Sequence, residues 1–302
     1  FSLTLIVLIM SNLEYDKSEI LSTITLFSVV GIRIMPSVSK IIHAFNSLKN
    51  CQPSLEVVYF ELKENEKLKK INNLSKVSLN KNIHFEKVFY KYENKNDFIF
   101  EDLDLEINKG ESIFITGDSG SGKTTLINLL IGLINPTKGK ITIDNKEQID
   151  NNYNNLKIGY VSQNTLLLDD TIENNIIFGE KNDKHDLVYE KSISISGINS
   201  LNKNLNFSNS MEIGEQGNKI SGGQRQRIAI ARSIYFNPDI FIFDEATNEL
   251  DENSEFKIFK ELMDKYKDKT FIFISHNKKL ANLCEKILNI KDNKVTIIKN
   301  SV

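Results

Sequence analysis

The chain has 302 residues, 40% hydrophobic and 26% charged, enough to bury a sizeable core in one large domain with room for a smaller part. Its 38 basic and 40 acidic residues give a formal net charge of −2, so no global basic field marks a nucleic-acid binder, and no nucleic acid is expected as a partner. The two cysteines, Cys51 and Cys284, fit neither a metal spacing nor a redox pair and suit a reducing compartment.

The opening residues, "FSLTLIVLIM", are apolar but lack the basic start and small-residue cleavage site of a signal peptide. They read as the tail of a membrane helix that begins further upstream, because a full span takes about 20 apolar residues. A polar turn from Ser11 to Glu19 carries three acids and one lysine, and a second apolar run, Ile20 to Met35, leads into "PSVSKIIHAFNSLKN". Lys40 and Lys49 follow that run, which by the positive-inside rule places the acidic turn outside and everything beyond Lys40 in the cytoplasm. Arg33, inside the run, either snorkels to the interface or lines a cavity where it meets an anionic head group.

From Glu61 the chain turns charge-rich with little apolar patterning, as expected of a solvated helix end and linker. "IHFEKVFYKY" then alternates apolar and polar side chains, with a slip near Glu86 that predicts a bulge. The apolar runs "SIFITG", "KITID", "KIGYVSQ", "DIFIFDE", "TFIFISH" and "KVTII" alternate with helical patterns, which argues an α/β domain with a mainly parallel sheet. The early strands are expected to form an antiparallel edge portion of that sheet. The organisation predicted is therefore a partial α-helical transmembrane region over 1–60, a linker over 61–80 and a nucleotide-binding domain over 81–302.

"GDSGSGKTT", Gly117 to Thr125, follows the buried strand "SIFIT" and opens the helical run "KTTLINLLIGL". That is the context of a phosphate loop. Gly117, Gly120 and Gly122, with Asp118, Ser119 and Ser121 between them, would turn backbone N–H groups around a β-phosphate. Lys123 reaches the β- and γ-oxygens, the Thr124 hydroxyl ligates Mg²⁺, and Thr125 completes the first turn. "DIFIFDE" supplies a strand buried on both faces that delivers Asp244 to the Mg²⁺ and Glu245 to the attacking water, as general base. Gln163 and His276 close two further strands at the same edge, where an amide binds Mg²⁺ and water and an imidazole donates to a γ-phosphate oxygen. "ISGGQ", Ile220 to Gln224, reads as a second anion-binding helix N-terminus.

In this order behind a phosphate loop, "SQNTLLLDDTIENNI", "ISGGQ", "FDEATNELD" and "FISHN" resemble the nucleotide-binding domain of ABC transporters, over roughly Lys81 to Val302. The resemblance implies a P-loop NTPase fold with a mixed sheet and a helical subdomain, ATP and Mg²⁺ as cofactors, and a head-to-tail dimer through the ATPase domains. In such a dimer Lys123 acts on one nucleotide, while Ser221, Gly222, Gly223 and Gln224 contact the γ-phosphate of the nucleotide held by the partner. It also implies that Tyr92, with Tyr90 competing, stacks on adenine. Asp251 falls in the dimer-interface loop, where Asn248 and Glu249 depart from the usual Ser-Ala.

The apolar segment upstream, "DDTIENNI", and "IGEQG" with Glu215 in a cross-linking loop resemble exporters of this family, with catalysis by Glu245, Gln163 and His276. "VVGIRIMPS" is similar to the last membrane helix of bacterial flippases for lipid-linked oligosaccharides, which implies a lipid-linked or amphipathic cargo and a bacterial inner membrane; peptide, polysaccharide and lipid A exporters share the other features. A soluble ABC ATPase of DNA repair would insert a long coiled coil between the two phosphate motifs, but Lys123 and Ser221 are only 98 residues apart.

Overall fold

The computed structural model describes residues 4, 8–10, 12–13, 16–69, 78–93, 95–144, 146–147, 156–179, 185–200, 210–245 and 249–300. Contacts divide the chain into two compact units, Phe1–Asn72 and Asn73–Val302.

The first unit is dominated by one helix, α1 (Lys17–Lys69), which runs unbroken through Pro36 and Pro53. Its portion from Lys17 to Lys63 contains an 18-residue window apolar enough to cross a membrane, with a mean hydropathy of 1.6 and no residue of that window buried inside the structure. About 20 residues suffice to cross a bilayer core, so α1 is much longer than one span. The helix takes in the end of the expected polar turn and the charge-rich start of the expected linker; residues 70–77 lie outside the described ones.

The second unit contains two sheets. One is antiparallel, in the order β2-β1-β4-β5, built from β1 (Asn82–Tyr90), β2 (Phe100–Asn108), β4 (Lys138–Ile143) and β5 (Lys146–Glu147). The other has the order β10-β9-β3-β8-β7-β6, from β3 (Ser112–Gly117), β6 (Ile158–Val161), β7 (Ile240–Asp244), β8 (Thr270–Ile274), β9 (Lys286–Lys291) and β10 (Lys294–Lys299). All its pairs are parallel except β9 with β10.

The early strands thus form a sheet of their own, contrary to the expectation of an antiparallel edge. The cause lies in their burial pattern. β3, β7 and β8 bury runs of consecutive residues, such as Ile240 to Phe243, because both faces are covered. β1 instead buries Ile83, Phe85, Val88 and Tyr90 by alternation, so it offers one apolar face, which joins the core shared by Leu126, Ile127 and Ile242. The predicted bulge is present: the β1 register shifts between Phe85 and Val88, with Lys87 at φ 47°. β9, "KILNIK", has no counterpart among the runs read from the sequence, since lysines at both ends mask it. Lys286 is nonetheless buried, on Glu111 at 2.7 Å and the carbonyl of Glu106 at 2.8 Å.

Five helices complete the site's framework: α2 (Lys123–Leu130), α3 (Ile172–Ile177), α4 (His185–Ser196), α5 (Gly222–Tyr235) and α6 (Glu252–Lys265). α3, α4 and α5 share a separate apolar cluster that includes Ile176, Ile193 and Ile228, forming the helical part. On the other face of the parallel sheet, Phe241, Phe243, Phe271 and Phe273 stack in pairs, Phe241 on Phe271 at 5.2 Å between centroids.

Asp144 ties the start of β1 to the end of β4, its carboxylate accepting from the N–H groups of Asn80 at 2.8 Å, Lys81 at 2.6 Å and Asn82 at 3.1 Å. Burial works against the charged form, but the N–H donors of Lys81, Asn80 and Asn82 outweigh it and hold the pKa below the usual carboxylate value. Asp144→Asn is expected to destabilise the unit by about 1–2 kcal/mol at neutral pH, read as a lower Tm. A depressed folded-state pKa stabilises above the unfolded value of about 4, so the gap between wild type and variant should close as the pH falls from there through the folded value. An equal gap at pH 3 and pH 7 would contradict this.

Candidate active site

Parallel pairing of β6, β7, β8 and β3 brings four strand ends to one edge of the sheet, and the candidate residues follow directly from those ends. β3 leads through Asp118–Gly122 into α2. Gly122 caps α2 at φ 106°, where a Cβ would lie 2.7 Å from Ile99 Cγ2 and 3.1 Å from Phe100 Cζ, so only glycine fits. The cap offers no side-chain acceptor, which leaves the first-turn N–H groups of α2 facing the cleft for an anion.

Lys123 Nζ donates to the carbonyls of Gly117 at 2.8 Å and Asp118 at 3.0 Å. Two of its three donors thus hold the ammonium across its own loop and one remains for an incoming oxygen. Ser121 Oγ is buried with no hydrogen-bond partner among the described residues. Open N–H groups, a tethered ammonium and an orphaned hydroxyl fit a phosphate chain.

The cleft beside this loop has a volume of about 570 Å³. Ser119, Gly120, Gly122, Lys123, Thr124 and Thr125 line one side, and Gln163, Asp244, Glu245 and His276 the other. Tyr92 stands at its margin, 39% exposed, its hydroxyl 3.2 Å from Thr125 Oγ1. Tyr90 is buried at 8% and touches Tyr92 edge-on. Lys95 and Ile99 also line the cleft; nothing in the irregular stretch that carries them singles them out in the sequence.

Glu245 lies at φ 47°, a left-handed conformation uncommon for a residue with a side chain, fixed by its N–H on the carbonyl of Ile274 at 2.8 Å. The turn sets its carboxylate between two partners: Gln163 Nε2 donates to Oε2 at 2.8 Å, and His276 Nε2 is 3.5 Å from Oε1. Asp244 accepts from the Tyr160 hydroxyl at 3.0 Å. Burial pushes the Asp244 pKa up, the Tyr160 hydrogen bond opposes it, Glu245 adds to the rise and Lys123 counters it. Tyr160 is absent from the residues singled out in the sequence. Its pairing with Ile242, two residues before Asp244, places it on the Asp244 face, a cross-strand register that no local pattern in the sequence supplies. Thr124, Gln163 and Asp244 offer hydroxyl, amide and carboxylate oxygens, a hard donor set of the kind Mg²⁺ takes alongside phosphate oxygens.

The second anion motif lies elsewhere. Gly222 lines a separate cleft of about 470 Å³, and among the described residues Gln163 alone lines both. Ser221 caps α5 within a capping box: its Oγ accepts from Gln224 N at 3.4 Å, and Gln224 Oε1 accepts from Ser221 N at 2.7 Å. Gln224, read as a phosphate contact, is buried, with its side chain engaged in capping its own helix. Glu249 covers Gly222 so closely that a Cβ there would coincide with its carboxylate, and Arg225 Nη2 holds that carboxylate at 3.3 Å. Gly223 packs against the carbonyl of Glu249 and the side chain of Leu250. Asp251 caps α6 by accepting from Ser254 N at 2.9 Å, Glu215 stands exposed in a short 3-10 turn, and Asn248 lies outside the described residues.

A glycine-rich loop between a buried parallel strand and a helix, with an acid pair at the end of a strand two places along the same sheet, defines a P-loop nucleoside triphosphatase. The family description "ABC transporter" matches residues 100–248. Similar curated proteins include the ABC transporter B family member 13 of Arabidopsis thaliana, 34% identical over 70% of this chain and 17% of the relative. The lactococcin-G-processing and transport ATP-binding protein of Lactococcus lactis is 36% identical over 72% and 31% of the two chains. The ATP-dependent lipid A-core flippase 2 of Colwellia psychrerythraea is 38% identical over 65% and 34%. The structure of a bacterial Atm1-family ABC exporter with ATP bound matches 74% of this chain and 40% of that one, at TM-score 0.68 and 29% identity. This chain therefore spans 17–34% of the length of these curated relatives. The second unit is an ABC transporter ATP-binding domain with exporter-type relatives: it binds ATP and is an ATPase.

Lys123→Ala is expected to weaken ATP binding by roughly ten- to a hundredfold, the loss of one charge-assisted contact, while Tm changes little. Equilibrium titration with a fluorescent ATP analogue reads the affinity; undiminished binding would contradict the role given to Lys123.

Proposed function

We propose that this chain is an ATP-driven exporter subunit that works as a dimer, with Mg-ATP sandwiched between the phosphate loop of one domain and the Ser221 helix of the other. The observation that carries this reading is the separation of the two anion motifs into clefts that share, among the described residues, only Gln163 in their lining. One chain alone does not surround a nucleotide with both. Closure of two domains would bring them together, which ties hydrolysis to a large motion.

Within each pocket, Lys123, the loop N–H groups from Gly117 to Thr125 and Tyr92 hold ATP. Thr124, Gln163 and Asp244 hold Mg²⁺, which when bound neutralises charge on the phosphates. Glu245 takes the proton of the attacking water, oriented by Gln163, and His276 donates to the γ-phosphate. Ser221, Gly222 and Gly223 complete the pocket from the partner, an identical chain in the simplest arrangement. Glu249 covers Gly222 in the single chain, so it must move aside before that helix accepts a phosphate. Glu249→Ala should therefore strengthen ATP-dependent pairing several-fold, by removing a competing carboxylate from an anion site. Unchanged or weaker pairing would contradict that role.

The membrane part of the reading takes 1–60 as transmembrane, 61–80 as linker and 81–302 as the cytoplasmic motor, in a bacterial inner membrane. The long exposed apolar stretch of α1 supports it, as do relatives named as exporters. Arg33, exposed within that stretch, is suited to an anionic head group, which favours a lipid-linked or amphipathic cargo, a lipid-linked oligosaccharide in the first instance. The relative named as a lipid A-core flippase supports an amphipathic cargo, and the one named for lactococcin G keeps peptide cargo as the alternative.

Glu245→Gln should retain ATP affinity and lose turnover by about a hundredfold or more. Turnover at the wild-type rate would refute the assigned base. For the cargo, ATPase activity of the chain in lipid nanodiscs should rise on adding a polyprenyl-pyrophosphate-linked saccharide; stimulation by a hydrophobic peptide alone would favour the peptide reading.

A further inference from the structure

Glu255 lines neither cleft, yet this acidic residue is only 4% exposed on the first turn of α6. Its Oε1 accepts from Ser275 Oγ at 3.2 Å and its Oε2 from Asn277 Nδ2 at 2.5 Å, the two residues that flank His276. Ser275 Oγ in turn accepts from Asn277 N at 3.1 Å, Asn277 Nδ2 also donates to the carbonyl of Glu252 at 3.4 Å, and Asn277 Oδ1 accepts from Lys279 N at 3.0 Å. Residues 275–277 are thereby stapled to α6. Among the described residues His276 has no comparable hold of its own: its side chain is 79% exposed, with Glu245 Oε1 3.5 Å from its Nε2. Its direction is therefore set by the backbone on either side.

Burying a carboxylate costs free energy that an apolar residue at this position would avoid. At the start of the same helix Asp251 caps α6, and its carbonyl accepts from Glu255 N at 3.0 Å. A displacement of Asp251 is thus one helical turn from the staple.

We propose that Glu255 is the positioning residue for His276, and that it couples the loop around Asp251, on the dimer-forming side, to the orientation of the imidazole over the γ-phosphate. This rests on the reading of His276 as γ-phosphate donor. Partner docking at Asp251 would move α6, and Glu255 would carry that movement to Ser275 and Asn277. His276 then reaches its working orientation only in the closed pair.

The test is a hydrogen-bond polarity swap in the full chain. Asn277→Asp sets a second carboxylate against Glu255 and should lower kcat about tenfold with ATP affinity within about threefold, since the loop acts after nucleotide binding. Adding Glu255→Gln to that variant supplies the new carboxylate at position 277 with a donor and should recover most of the loss. A role in stability alone would move Tm and not recover kcat. If Asn277→Asp fails to fold, Ser275→Ala removes one donor with little change of volume and should lower kcat about threefold at unchanged affinity. His276→Ala separates the two layers of the argument: wild-type turnover there would remove the histidine reading and this inference with it. Loss in His276→Ala, combined with wild-type kcat in Asn277→Asp and Ser275→Ala, or with no recovery in the double variant, would overturn the positioning role alone.

Discussion

Everything at this site depends on the parallel register of β3, β8, β7 and β6. Thr270 to Ile274 pair with Ile240 to Asp244, Ile113 to Ile115 with Ile272 to Ile274, and Ile158 to Val161 with Ile240 to Phe243. Four chain segments, 117–125, 163, 244–245 and 276, therefore leave the sheet on the same side. An antiparallel neighbour anywhere among them would send its polar tip to the opposite edge. The stacked phenylalanines on one face and the isoleucines on the other hold that register, because a one-residue slip would exchange the faces.

The electrostatics follow from this gathering. Asp244 and Glu245 are adjacent acids beside a cleft meant for an anion, so their charges must be directed elsewhere. Asp244 lies against Tyr160, and the left-handed turn at Glu245 swings its carboxylate toward Gln163 and His276. On the attractive side stand one tethered ammonium and the open N–H groups of α2. The proposed second set of anion-binding groups sits at the N-terminus of α5, under the carboxylate of Glu249. In the proposed dimer a single chain holds half of the attraction a triphosphate calls for and keeps the other half covered.

Most of the cleft was legible in the sequence because its parts are local. A glycine-rich loop between a buried strand and a helix, or an acid pair at the end of a four-residue apolar run, specifies its own geometry. What escaped depends on pairing across the fold. The separate antiparallel sheet shows in the one-sided burial of Ile83, Phe85 and Val88, but which surface covers that face is a tertiary outcome. β9 was hidden by Lys286, a charge that becomes buried only because Glu111 meets it. Gln224 looked like a phosphate contact by position, yet the capping box at Ser221 claims its side chain. Glu255 and Tyr160 act through hydrogen bonds to residues 22 and 84 positions away, a separation that no local pattern reveals.

The central claim is that the two anion motifs of one chain belong to two different pockets. The most direct measurement is the molar mass by light scattering of the unit 73–302, which carries its own apolar clusters, with Glu245→Gln to arrest turnover. The account predicts a monomer without nucleotide, a dimer with Mg-ATP, and a return to monomer when Ser221→Arg is added while ATP binding persists. A unit that binds ATP tightly and stays monomeric, or a dimer indifferent to Ser221→Arg, would contradict it.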